Sequence, residues 1–375
     1  ISDKISNKSI IDKSLDFFCI GTLADMSIIK GANRKLLRES LPNLYKTKSI
    51  GLKELIKLSG INYNEITSED IGFKIAPRIN AIGRIDNPNI IIDLLTENDP
   101  NKAKKLASYC EKINNKRRLI CKKVLEEALI IIDKNNLPEF ITIAQPNWHL
   151  GIIGLIASQI MNKFHRPVAI LTPDGKGLFR ASARAPNGFN LIKALENCSD
   201  LLETFGGHKA AAGFSIRPNK ISSLELRLNH LVKSNKIKHF KPRVSPDCHI
   251  NFNEITHTLF NSQYTLEPFG LENPKPIFWT RKCKLVEIHK LKGEHLRAKI
   301  YRDNKYIDAI DWNSTFNYKI NEYIDIAYTI EMNRWKNLNK LQLNIVAVKE
   351  HQDIVEIILN DNVYRTFKDM DNNLI

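Results

Sequence analysis

The stretch from Arg180 to Ile216 concentrates the groups best suited to holding an anion. It contains a Ser-x-Arg element, Ser182 and Arg184, and further on the run Gly206-Gly207-His208, followed by small residues up to Gly213. Glycines let a backbone approach a ligand closely or adopt positive φ. A hydroxyl, a guanidinium and a histidine beside exposed backbone N–H groups suit a phosphate oxyanion. A tight turn before a strand, with Ala210 to Ala212 small only for packing, accounts for the same residues. At this point both readings stand.

Other candidates are scattered along the chain. Asp25, closing Gly21-Thr22-Leu23-Ala24-Asp25, is the kind of carboxylate a hard cation such as Mg²⁺ or Mn²⁺ takes as a ligand. It equally suits a helix cap, and no HxxE, DxD or HH cluster lies near it. Arg78 and Arg84 stand among small residues in Ala76-Pro77-Arg78-Ile79-Asn80-Ala81-Ile82-Gly83-Arg84. Both can fork onto phosphate, or pair structurally with an acid such as Asp86. His149 lies in Trp148-His149-Leu150-Gly151-Ile152-Ile153-Gly154, a glycine-containing turn whose backbone N–H groups suit an anion. It is neither a Walker A loop nor GxGxxG. Trp148 could stack on a base or pack at a domain joint.

The elements that must position these groups follow from periodicity. Residues 15–25 read as a short helix leading into a strand that ends near Leu23, with Asp25 just beyond it. Helical spacing recurs at 33–39 and 51–60. Thr67 to Asp70 can cap a further helix, which Pro77 should break or bend. Residues 98–134 read as one long helix after Asn98-Asp99-Pro100, of the kind that connects two domains. Its Lys116-Arg117-Arg118 cluster suits a solvated face.

An α/β unit follows, with strands at 140–145, 167–173, 178–184 and 213–218 and helices at 151–164, 191–205 and 222–234. After Lys236 the pattern changes to short β-rich runs separated by turn residues, compatible with a five-stranded OB-type barrel. Here Tyr301, Tyr306, Trp312, Tyr328 and Trp335 interleave with Lys299, Arg302, Lys305, Arg334 and Lys336. Stacking aromatics beside cations follow the logic of single-strand binding, although about half of these aromatics should be core. The last residues, 351–375, read as an extra strand or helix and a polar tail.

Composition narrows the class. The 375 residues allow two or three domains, and 43% hydrophobic with 26% charged residues is ordinary for a globular protein. The net charge of +15 is not ordinary and points to a polyanion, nucleic acid ahead of a membrane surface. Richness in Ile, Lys and Asn offers a blander source for some of the lysine. The six cysteines form no CxxC pair, which argues against a zinc ribbon or a dense disulfide framework. No apolar run approaches the roughly 18 residues of a membrane span, and no secretory leader opens the chain. A cytoplasmic protein is expected.

Taken in order, the motifs resemble the RecJ-type single-strand-specific 5′→3′ DNA exonucleases of the DHH phosphoesterase superfamily. The resemblance runs through GTLAD at 21–25, APRINAIGR at 76–84, WHLGIIG at 148–154, SAR at 182–184 and GGHKAAAGF at 206–214. It continues through LEPFGLENPKPIF at 266–278, GEHLRAKI at 293–300, Asn333 and LQL at 341–343. It implies an α/β chain carrying the C-terminal part of a DHH domain (1–95), a connecting helix (96–135), an α/β DHHA1 domain (136–236), an all-β OB-type barrel (240–350) and a C-terminal tail (351–375).

The resemblance also implies roles. Asp25 corresponds to a ligand of a two-metal Mn²⁺ or Mg²⁺ centre. Arg78, Arg84, His149, Ser182, Arg184, Gly206 and Gly207 fall in motifs associated with substrate phosphate, and His208 lines the catalytic cleft. Metal-activated water would attack a phosphodiester of single-stranded DNA during recombination and repair. A single-strand-binding protein and a helicase are the expected partners, and a monomer the expected state. The family's Asp-His-His triplet and its earlier aspartates are absent from the chain, which begins at Ile1. The expectation is therefore an N-terminally shortened enzyme unable to assemble the metal pair alone. The competing readings are a non-catalytic single-strand-binding module and a small-substrate DHH phosphoesterase.

Overall fold

The computed structural model describes residues 8–62, 66–133, 135–234, 244–293, 295–312, 314, 316–333, 340–352, 354–359 and 362–367. Two compact units divide it, Ile1–Pro242 and Arg243–Ile375. Among the described residues no helix is long and apolar enough to cross a membrane.

The first unit opens with α1 (Lys8–Ala24), α2 (Gly31–Ser40) and α3 (Ile50–Leu58). The strand expected to end at Leu23 is instead the second half of α1. Asp16, Cys19, Ile20 and Leu23, buried together with Thr22, follow a spacing of three and four that only a helix places on one face. Thr67 caps α4 (Ser68–Asp70) in a reciprocal capping box with Asp70. A π turn (Ile71–Ile75) then leads into α5 (Ala76–Ile85). Pro77 does not break this run. It occupies the first turn of α5, where its missing N–H costs nothing, and the widened turn before it bonds Ala76 N–H to the Ile71 carbonyl.

After α6 (Asn89–Thr96) comes α7 (Pro100–Ile131), 32 residues long, with the Asp99 carboxylate capping the N–H groups of Asn101 and Lys102. One core joins α1, α2, α3, α5 and the first half of α7, centred on fully buried Leu37, Leu52, Leu55 and Ile82.

The rest of the first unit is a five-stranded sheet of order β1-β2-β3-β5-β4. Its strands are β1 (Ile141–Ala144), β2 (Val168–Pro173), β3 (Phe179–Arg184), β4 (Leu202–Gly207) and β5 (Ala211–Ile216). β1 and β2 run parallel, joined through α8 (Ile153–Phe164), and the other pairings are antiparallel. α9 (Leu191–Glu196) is much shorter than the helix expected over 191–205. Leu202 to Gly207 form edge strand β4 against β5, with Leu202 buried and Glu203 to Gly207 exposed.

One sheet face packs on α9 and α10 (Ile221–Ser234) through Leu171, Ala181, Ala183, Phe214 and Leu228. On the other face α8 and the end of α7 cover β1 and β2 through Ile141, Ile143, Val168 and Ile170.

The second unit is an all-β barrel with one short helix. It comprises β6 (Cys248–His249), α11 (His257–Gln263), β7 (Phe278–Lys290), β8 (Leu296–Arg302), β9 (Lys305–Asp311), β10 (Tyr323–Asn333) and β11 (Lys340–Glu350). The order β7-β8-β9-β11-β10 closes on itself through β10 pairing with β7. This is the five-stranded Greek-key barrel of the OB fold. β9 and β11 are its parallel pair. Tyr328, fully buried, sits in the barrel core with Leu285, Ile300 and Leu343. Among the described residues beyond 350, β12 (Ile354–Leu359) and β13 (Asn362–Phe367) form an antiparallel pair, where one extra strand or helix was expected.

Candidate nucleic-acid interface

β3 alternates in character. Ala181 and Ala183 point into the core shared with α9 and α10, while Arg180, Ser182 and Arg184 point to the opposite face. α8 leaves that face open over β5 and β4, where Gly213, Thr204 and Gly206 continue the surface and Ser215, itself largely buried, borders it. The result is a cleft of about 600 Å³ lined by these residues together with Gly83, Arg84, Gly151 and Gly154. Among the described residues no Asp or Glu lines it.

Glycines allow the walls to meet. A Cβ on Gly151 would lie 1.8 Å from the Arg84 carbonyl oxygen, so only glycine lets the end of α5 rest on the start of α8. A Cβ on Gly154 would lie 3.0 Å from Ser182 Oγ and 3.3 Å from Arg184 Nη2, so its absence lets α8 approach the Ser-x-Arg pair closely. The N-cap of α8, Ile152, offers no side-chain cap. The helix therefore presents its positive end at the cleft wall.

The cations here lack acids. Arg184 Nη1 donates to the Ala183 carbonyl at 2.8 Å and to Ser182 Oγ at 3.1 Å. Burial, and then the nearby Arg84 charge, pushes its pKa below the usual arginine range, a sign of positive charge crowded without compensation. Arg84 is exposed, with one long contact from Nη1 to the Gly151 carbonyl at 3.5 Å. On α7, Arg117 is lowered in the same way, first by burial and in part by Arg118 and Arg84.

The structure thus gathers Arg84 from α5, Ser182 and Arg184 from β3, and Gly206 from β4. The other expected residues do not line this cleft. Arg78 is buried, ion-paired with Glu111 and bonded to the Lys74 carbonyl. Its partner is an acid, as the structural alternative had it, but Glu111 rather than Asp86. Exposed His149 accepts the Gly151 N–H on Nδ1 at 3.0 Å. Trp148 is buried, donating to Glu127 at 2.8 Å, and is packing rather than a stacking platform. His208 is exposed in the turn after β4, its N–H bonded to the Ala211 carbonyl at 2.8 Å.

Gly206 and Gly207 differ sharply. A Cβ on Gly206 meets nothing within 4 Å, whereas Gly207 has φ of 141° and its Cβ would lie 2.5 Å from backbone atoms of Ala211 and Ala212. Sequence reasoning missed Arg180, Thr204 and Ser215. The signal for Arg180 was the period-two spacing Arg180, Ser182, Arg184.

On the barrel, a groove of about 800 Å³ runs along β7, β8 and β9. Its cations are largely matched by acids. Arg297 pairs with Asp308 at 3.1 Å and Lys299 with Glu287 at 3.4 Å, while Lys305 donates to the carbonyls of Phe252 and Ile255. Arg302 pairs with Asp303 at 3.1 Å. Exposed Tyr306 packs against Tyr301 with ring centroids 4.7 Å apart, and exposed Trp312 meets His295 edge-on. Tyr328 is core. Arg334, Trp335 and Lys336 lie outside the described residues.

Two domain families match the chain, the DHHA1 domain over residues 137–234 and the RecJ OB domain over residues 246–347. The single-stranded-DNA-specific exonuclease RecJ of Bacillus subtilis is 33% identical over 354 residues, covering 91% of this chain and 45% of that protein. The chain carries a DHHA1 domain and a RecJ OB domain, and it is similar to RecJ over nine-tenths of its length. RecJ of Escherichia coli is 27% identical, over 88% of this chain and 60% of that protein. The chain spans about half the length of the curated relatives it matches.

Among solved structures, RecJ of Thermus thermophilus in complex with Mn²⁺ superposes with a TM-score of 0.79 at 24% identity, over 91% of this chain and 50% of that one. An exonuclease RecJ bound to manganese matches 60% of this chain and 58% of its own at 26% identity, with a TM-score of 0.51. These likenesses show the shared RecJ fold.

The resemblance implies a divalent metal centre. Among the described residues no three His, Cys, Asp or Glu side chains come together to hold an ion. Asp25 is exposed in the turn that ends α1, not at a strand end. A hard divalent cation takes about six oxygen ligands, and one exposed carboxylate does not fit that need.

Proposed function

We propose that this chain forms the DNA-gripping part of a RecJ-type 5′→3′ exonuclease specific for single-stranded DNA, acting in recombination and repair. In this reading residues 1–95 belong to a DHH catalytic domain, 96–135 to a connecting helix, 136–236 to the DHHA1 domain and 240–350 to the OB domain. The observation that carries it is the cleft where Arg84, Ser182, Arg184 and the start of α8 converge without a carboxylate. Phosphate is the anion such a site suits. A guanidinium fork offers two parallel donors, the serine hydroxyl a third, and the helix end a fixed positive potential.

Were a fuller ligand set to hold Mn²⁺ or Mg²⁺ with Asp25, the ion would supply Lewis-acid chemistry for cutting the phosphodiester. The role of this chain's own side chains is to hold and orient the strand. His208, in the turn beyond Gly207, and His149, beside Gly151, flank the strand's path. The barrel supplies Tyr306 and Trp312 as exposed rings for bases.

The test is binding of a fluorescent oligothymidylate to residues 1–375 in chelator, so that no metal-dependent cutting intervenes. Single strands should bind more tightly than duplex. The logarithm of affinity should fall with the logarithm of salt by about 0.7 per phosphate held. Salt-insensitive binding contradicts the phosphate grip. In Mn²⁺ the same chain is expected to leave single-stranded DNA intact. Degradation that Asp25→Ala abolishes would show that the metal ligands are already here.

A further inference from the structure

The cleft floor is ordered in cross-strand rungs. Arg184 lies opposite Ala211; Ser182 opposite Gly213, itself opposite Gly206; Arg180 opposite Ser215, with Thr204 beyond. Rungs two residues apart along a strand share a face and lie about 6.6 Å apart. The first rung carries a guanidinium, the second a hydroxyl and two bare backbones, and the third a guanidinium and two hydroxyls. The first end, with Arg84 and the start of α8, is the phosphate grip already described. The third rung is not needed for that grip, yet it repeats the same chemistry. Among the described residues exposed Arg180 has no hydrogen-bond or ion-pair partner, and no bond engages the hydroxyl of Thr204 or Ser215.

We propose that Arg180, Thr204 and Ser215 form a second phosphate subsite, so that the cleft takes a nucleic-acid backbone across two successive phosphates rather than one phosphate group. This rests on the phosphate reading of the cleft's first end. The middle rung supports it independently. Glycine at 206 is required neither by space, since a Cβ there meets nothing within 4 Å, nor by a left-handed φ. What its bare backbone provides, with Gly213 beside it, is clearance over the floor between two cationic ends. A sugar joining two phosphates needs that clearance; a single phosphate does not.

The spacing agrees. The Cα atoms of Arg180 and Arg184 are about 13 Å apart along the strand. Two long side chains leaning inward from those positions reach neighbouring phosphates of an extended strand. Each guanidinium donates a pair of N–H bonds, and the hydroxyls of Ser182, Ser215 and Thr204 donate one each.

The experiment uses residues 1–375 in chelator, with two competitors against a fluorescent oligothymidylate. TpT carries one phosphate and TpTpT carries two. Wild type should bind TpTpT about tenfold or more tightly than TpT, as one added charge-assisted grip warrants. Arg180→Ala should bring that ratio close to one, Arg180→Lys should restore most of it, and Arg184→Ala should weaken both ligands. An Arg180→Ala protein that keeps the wild-type ratio, while Arg184→Ala weakens both ligands, overturns the second subsite and leaves the phosphate grip standing. If neither ligand displaces the oligothymidylate from wild type, both readings fall. Because Arg180 is exposed, an unchanged melting temperature in Arg180→Ala checks that lost binding is not lost folding.

Discussion

The cleft of the first unit and the outer barrel face of the second both carry arginine and lysine, but they leave those cations in different states. In the cleft, Arg84, Arg180 and Arg184 share a surface that no described carboxylate lines. On the barrel, Arg297 and Lys299 are each matched to an acid, Asp308 and Glu287. Close glycine packing holds Arg184 partly buried while Arg84 and Arg180 stand exposed, and an anion would relieve the repulsion between Arg84 and Arg184. Exposed charge that is already paired gains little by exchanging a carboxylate for a phosphate. The net charge of +15 is thus not one property of the chain. The cleft leaves three arginines without a lining acid, while the barrel pairs several of its cations.

The largest expected effect tests whether the cleft's arginines are as available as they look. Arg184→Ala removes charge-assisted hydrogen bonds worth about 1.5–3 kcal/mol, so oligothymidylate affinity should drop about 10- to 100-fold. Arg84→Ala should do nearly as much, and the double variant less than the product, because both arginines serve one phosphate. Arg78→Ala is the contrast. It strips Glu111 of its partner and should lower the melting temperature, with the salt slope of binding unchanged. If Arg78→Ala flattens that slope as Arg184→Ala does, the separation of structural from binding arginines is wrong.

Two adjacent glycines sharpen the same point on a smaller scale. Gly207→Ala forces a side chain onto φ of 141° and against backbone, so it should cost about 1–3 kcal/mol of stability. Gly206→Ala should change stability by no more than about 0.5 kcal/mol. Its methyl would stand on the cleft floor and weaken oligonucleotide binding severalfold. Denaturant melts and binding titrations on both variants separate the roles. Equal stability losses would mean that the floor at Gly206 is a packing requirement after all.

Much of this was legible in the sequence, for identifiable reasons. The long helix, the strands at 141–144, 168–173 and 179–184, and the barrel runs announce themselves through caps and period-two alternation. The start of the chain misled, because Phe17 to Ile20 is a continuous apolar run that fits a strand or a buried helix equally. Only the tertiary burial of Asp16, Cys19, Ile20 and Leu23 decides it. The run Leu201 to Phe205 misled similarly. Its apolar residues continue a helical spacing, and pairing with β5 wins over local propensity. Arg84, Ser182, Arg184 and Gly206 were readable as candidates, but not their convergence, which depends on what Gly151 and Gly154 allow to touch. Arg78 looked equivalent to Arg84 because both follow small residues. The partner that takes Arg78 out of the cleft, Glu111, lies on a different helix.

The smallest effect probes the barrel side of the comparison. Glu287 is exposed, and its hydrogen bond from Lys299 holds its carboxyl below the usual range, with His289 adding to this. The carboxylate therefore stays charged through neutral and mildly acidic pH, repelling phosphate while occupying Lys299. Glu287→Gln removes the repulsion and releases the lysine. Oligothymidylate affinity should rise about two- to threefold at low salt, the scale of one exposed pair. The gain should disappear at high salt, where exposed charges are screened. Arg184→Ala behaves oppositely, losing affinity at every salt concentration because its contacts are partly shielded from solvent. Should Glu287→Gln instead weaken binding, the acid would be holding Lys299 in a useful position. The barrel face would then be a built site like the cleft.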